Sequence, residues 1–111
     1  MFIQKRVMTI KEGFADQVVE NFRNRQGIIQ EQEGFIDQTV MVKKVRRGDE
    51  EVVIMIRWES ESHWKQWEKS DAHIQGHKKN MGKPKPDYIL DVSHGLYEVK
   101  AVKTPASGTE A

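Results

Sequence analysis

The chain has 111 residues, 37% of them hydrophobic and 32% charged, which is enough for one hydrophobic core and too few for two. Lys and Arg number 18 against 17 Asp and Glu, a formal net charge of +1, so there is no electrostatic footprint for nucleic acid or an anionic membrane. Cysteine is absent, which excludes disulfides, thiolate catalysis and iron–sulfur ligation and fits a reducing compartment.

The N-terminus, MFIQKRVMT, is charged at its fifth residue and lacks the apolar core of a signal peptide. No run approaches the ~20 apolar residues of a membrane span, and the expectation is a soluble cytoplasmic protein. Residues 2–11 alternate as a strand, with Phe2, Met8 and Ile10 on one face and Ile3 and Val7 on the other. Gln4 and Arg6 interrupt the first face, as they would if that face were solvated there or lined a cavity. Glycine 13 breaks the pattern, and from Phe14 to about Gln26 the spacing is helical, Phe14, Val18 and Phe22 recurring every fourth residue. Gly27 is expected at C′, in a left-handed conformation.

After a connection through Ile28, Ile29 and Gly34, residues 35–45 and 51–58 read as a hairpin around Arg46-Arg47-Gly48-Asp49. The second of these strands is apolar at five consecutive positions, Val52 to Ile56, and so needs cover on both faces. Helices can cover one. A second copy of the chain is the economical cover for the other, and a sheet-to-sheet dimer is expected. Ser60 or Ser62 is placed to cap the next helix, and Ser70-Asp71 to break it and cap another. Residues 81–87, MGKPKPD, form a Pro/Gly loop. Tyr88 to Val102 is a last strand region with a bulge or kink expected at Gly95, and 103–111 is a small, polar, disordered tail. Strand, helix, strand, strand, helix, strand is the split β-α-β order of a ferredoxin-like α+β domain over residues 1–102.

All three tryptophans and three of the four histidines lie between Trp58 and Asn80. Bulky π-surface beside an imidazole suits a flat apolar ligand that carries a metal. His73 and His77 share a helix face, but Ile74 stands where a zinc protease motif needs Glu, and no carboxylates are nominated to complete a two-histidine site. His73 is read as solvent-facing, and His63 and His94 as surface or internally satisfied residues. His77 differs, with Gly76 beside it to admit a large planar group and Trp67 placed to wall the same space. Trp64 reads as core packing and Phe22 as a core anchor, with Phe22 and Gln4 carried as further walls of a cofactor pocket. No nucleophile–base pair, GxSxG, phosphate loop or dinucleotide fingerprint appears. If the chain is an enzyme, a cofactor or the substrate itself carries the chemistry.

The segment RWESESHWKQWEKSDAHIQGH, with TIKEGFADQVVENF and the turn EQEGF, resembles the Isd-type heme-degrading monooxygenases of the antibiotic-biosynthesis-monooxygenase superfamily, over roughly residues 1–102. The resemblance implies a homodimer of ferredoxin-like subunits whose sheets join in an α+β barrel, one heme per subunit, and no membrane or nucleic-acid partner. It implies His77 as axial ligand of the heme iron and Trp67 as the residue that buckles the porphyrin. The family's asparagine on the first strand falls on Arg6, a departure, since Arg is larger, permanently charged and accepts no hydrogen bond. Gln4, two residues earlier, carries the missing amide. The implied reaction is oxidative opening of heme with O2 and electrons from an external donor or reductase, releasing iron. Two alternatives stand beside it: a cofactor-independent monooxygenase of an aromatic substrate, and a non-catalytic heme-binding module.

Overall fold

The computed structural model describes residues 1–25, 27–80, 82 and 85–106. Its elements are β1 (Phe2–Ile10), α1 (Ala15–Asn24), a 3-10 turn at Ile28–Glu31, β2 (Phe35–Val42), β3 (Glu50–Trp58), α2 (Glu61–Glu68), α3 (Asp71–Asn80) and β4 (Ile89–Glu98). The strands form one sheet in the order β2-β3-β1-β4, every pair antiparallel. This is the ferredoxin-like α+β arrangement, with the apolar strands β1 and β3 at the centre. Position 26, parts of the 81–87 loop and the tail from 107 lie outside the described residues.

The alternation of β1 produces two apolar clusters on the helix-covered face. At one end Met8, Ile10, Val52 and Ile54 pack under Ala15 and Val18 of α1. At the other, Phe2 and the fully buried Trp58 pack under α2, with Trp64 against Phe2 at 5.2 Å and Phe35 edge-on to Trp58 at 5.7 Å between ring centroids. Between the clusters the same face of β1 carries Gln4 and Arg6. Trp58 therefore closes a strand and fills the core, and only Trp64 and Trp67 belong to helices.

The helix ends follow side-chain chemistry. Ser60 accepts from the His63 N–H (3.3 Å) and caps α2. Ser70 accepts from the His73 N–H (3.2 Å) and donates to the Trp67 carbonyl (2.7 Å), so one hydroxyl ends α2 and starts α3. Helix α1 has no local cap. Its first N–H groups are met by Glu50 of β3, which accepts from Gly13 (2.8 Å) and Ala15 (3.1 Å). Three expectations are corrected. Gly27 is extended (φ −113°, ψ 128°), because α1 closes at Arg25 in extended rather than left-handed backbone. β2 stops at Val42, before the expected position 45. Gly95 is no bulge: it pairs in register with Lys5, and the shift lies between Thr9 and Ile10. Its missing side chain instead makes room for the Tyr97 ring, whose Oη would lie 2.6 Å from a Cβ at 95.

The opposite face of the sheet carries Ile3, Val7, Val53 and Met55 at its centre, with Met41 and Tyr97 exposed toward the edges. Asp37 and Arg57 form a two-pronged ion pair there, and its hydrogen bonds hold the Asp37 carboxyl below the usual carboxylate range.

Gly34 sets α2 against the start of β2. Its φ is 81°, its carbonyl accepts from Glu59 N–H at 2.8 Å, and a Cβ there would lie 2.1 Å from His63 Cγ. Gly13 has a similar φ of 92° but open space around it. In urea melts Gly13→Ala is expected to lose ~1–2 kcal/mol through its backbone alone, and Gly34→Ala a further ~1–3 kcal/mol through the clash. Equal losses would mean that the His63 ring turns aside freely.

Candidate functional site

Where Gln4 and Arg6 interrupt the apolar face, the helices do not close over the sheet. A cleft of about 1430 Å³ opens there between β1–β4 on one side and α1, α2 and α3 on the other. It exceeds the ~300–1,000 Å³ of ordinary small-molecule pockets and suits a large, flat ligand. Gln4, Arg6, Phe22, Trp67 and His77, the residues singled out from the sequence, all line it. Ile54, Ile56 and Val40 give the sheet wall an apolar floor.

The helical wall is an aromatic row. Trp67 meets the His73 ring edge-on at 5.0 Å and 70°, and His73 meets His77 at 4.5 Å and 64°. The row follows from spacing and capping together. Positions 73 and 77 are one turn apart on α3, and the Ser70 hydroxyl ties the first turn of α3 to the Trp67 carbonyl. His73 is not solvent-facing as the sequence suggested. Its side chain is 19% exposed, and Nε2 lies 2.8 Å from Glu68 Oε2. His77, by contrast, is exposed into the cleft and has no ion-pair partner among the described residues. His63 behaves as read, with Nδ1 2.8 Å from Ser60 Oγ.

Two residues of the cleft escaped the sequence reading. His94 of β4 pairs in register with Arg6, which brings it to the cleft; alternation with Val92 and Leu96 was the available signal. Arg25 follows α1 and places its guanidinium 4.8 Å from the centre of the Phe22 ring. Arg6 approaches that ring at 5.9 Å. Burial, and then the charge of Arg25, push the Arg6 guanidinium below its ordinary pKa, but it keeps its proton.

Among the described residues no group of three or more His, Asp or Glu side chains could hold a metal ion. A metal at His77 would need its remaining ligands from the bound molecule, as a metalloporphyrin supplies them. The site thus offers the exposed imidazole of His77, a tryptophan wall, an apolar floor and cationic donors, and the residues fit heme. No helix among the described residues is long and apolar enough to cross a membrane.

The chain is similar to known proteins over most of its length. The family described as antibiotic biosynthesis monooxygenase matches residues 1–79. The heme-degrading monooxygenase HmoA of Bacillus subtilis is 68% identical over 103 residues, 93% of this chain and 94% of that protein. A heme-degrading monooxygenase of Halalkalibacterium halodurans is 32% identical over 111 residues, covering 100% of this chain and 92% of its own. A Bacillus cereus crystal structure assigned to antibiotic biosynthesis monooxygenases superposes with a TM-score of 0.80 at 55% identity, covering 93% of this chain and 94% of that one.

The row of rings depends on Ser70. Ser70→Ala is expected to lose ~1 kcal/mol in a denaturant melt, the usual loss for a helix cap. It should also shift the His73 and His77 ring resonances in NMR. A Ser70→Ala variant with unchanged ring shifts would show that α3 is held by other contacts.

Proposed function

The chain belongs to the antibiotic biosynthesis monooxygenase family, and on that footing we propose that it is a heme-degrading monooxygenase, opening the porphyrin with O2 and external electrons and releasing iron. The observation that carries this reading is that His77 and Trp67, with the His73 ring between them, line one wall of a cleft of about 1430 Å³, opposite Gln4 and Arg6. The naming of the 68%-identical relative supports it.

When bound, heme supplies the iron that activates O2 and is itself the molecule oxidised. The chain's residues act around it. His77 would hold the iron of a bound heme through its imidazole, from the helical wall of the cleft. Trp67, on the same wall, would bear on the face of a bound porphyrin and fix its position in the cleft, a positioning effect. Phe22 would give the porphyrin an apolar contact. Gln4 and Arg6, the latter at the position of the family asparagine, supply hydrogen-bond donors on the sheet side. Glu68 holds His73 by Nε2, which fixes the ring that separates Trp67 from His77. Electrons come from a reductase or small reductant in the cytoplasm.

The working unit is proposed to be a homodimer. The helix-free face of the sheet, with Ile3, Val7, Val53, Met55 and the exposed Tyr97, is the surface it would bury. Substituting Val53→Glu should give a monomer in sedimentation velocity at concentrations where the wild type sediments at twice the subunit mass. A wild-type monomer would overturn the dimer.

For the reaction, protein loaded with ferric heme and given ascorbate in air should lose its Soret band and release iron to a chelator. His77→Ala should weaken heme binding by at least about tenfold, the ~1.4 kcal/mol scale of a lost specific interaction. Stable heme binding without turnover would leave a heme-binding module. Absence of any heme band would favour a cofactor-independent oxygenase.

A further inference from the structure

A smaller pocket of about 170 Å³ opens beside the main cleft, between α1, the middle of β1 and the start of β4. Arg6, Phe22 and Arg25 border both spaces. Two guanidinium groups thus approach one phenyl ring, at 5.9 and 4.8 Å. Neither forms an ion pair among the described residues, and no carboxylate lines the pocket. The exposed Arg25 guanidinium stands close enough to the half-buried Arg6 to disfavour its charge. An anion bound between them offsets that cost. Tyr88 lines the same pocket; its hydroxyl accepts from Asn21 Nδ2 at 3.2 Å and retains its own hydrogen to donate.

The pocket is below the ~300 Å³ at which small-molecule sites begin, so a macrocycle does not fit, whereas a short carboxylate arm does. We propose that this side pocket is a carboxylate subsite, in which Arg6 and Arg25 take one propionate of the porphyrin in the main cleft. The proposal rests on the heme reading and deepens it. Arg6 becomes the residue that fixes which way the macrocycle lies, and the donor toward the iron is left to Gln4, the amide two residues along the same strand face. The substrate is then specified as a porphyrin with free carboxylates.

Removing the charge from either partner separates this from a general effect on the cleft. Apo wild type, Arg6→Gln and Arg25→Gln are each titrated with ferric protoporphyrin IX and with its dimethyl ester in the same detergent, following the Soret shift. The wild type should bind the free acid at least about tenfold tighter than the ester, the scale of a charge-assisted hydrogen bond. Each variant should lose most of that preference, read as the ratio of acid to ester affinity, so that the free acid is weakened far more than the ester. Arg6→Gln removes an unpaired charge and is expected to fold, which a thermal melt checks; Arg25→Gln, at an exposed helix end, is an independent second probe. Equal affinity of the wild type for acid and ester, or equal weakening of both by Arg6→Gln, would overturn the subsite while leaving heme binding intact. Failure of the wild type to bind either porphyrin would overturn the heme reading and this inference with it.

Discussion

The site exists because two polar residues interrupt the apolar face of the central strand. Phe2 at one end of β1 and Met8 and Ile10 at the other each anchor a buried cluster, and the helices settle on those clusters. At Gln4 and Arg6 no helix can pack without stranding an amide and a guanidinium away from water, which costs more than the burial returns. The sheet stays uncovered there and a cleft remains. The same two residues then furnish its donors, so what opens the space also equips it.

The helical wall answers a different constraint. His77 alone would be one more histidine near a helix end, free to rotate. Its neighbours remove that freedom: Trp67, His73 and His77 stand in contact, His73 is held by Glu68, and Ser70 joins the helix that carries Trp67 to the helix that carries both histidines. A ligand entering the cleft meets a surface already arranged, and little side-chain entropy is left to lose on binding.

Much of this is legible in local pattern. The alternation of β1, the continuous apolar run of β3, the Ser70-Asp71 break and the His73/His77 spacing each report a short stretch of chain, and each yields its element or its face. What escapes is set by partners far along the chain. Glu50 caps α1 from 35 residues away, so Gly13 and Phe14 carry no sign of it. His94 reaches the cleft only through the pairing of β4 with β1, and Gly95 serves the ring of Tyr97 rather than a bend. His73 reads as solvent-facing until Glu68 and Trp67 are seen to enclose it. Spacing says which residues share a face; it does not say what that face meets.

The proposed function stands on one imidazole, His77, as the ligand to heme iron. Resonance Raman of the ferrous heme complex tests it directly through the iron–imidazole stretching band. The band should be present in the wild type, vanish in His77→Gly, and return when free imidazole is added to fill the space left behind. A band that persists in His77→Gly would assign the iron to another histidine of the cleft, His73 or His94, and would contradict the account.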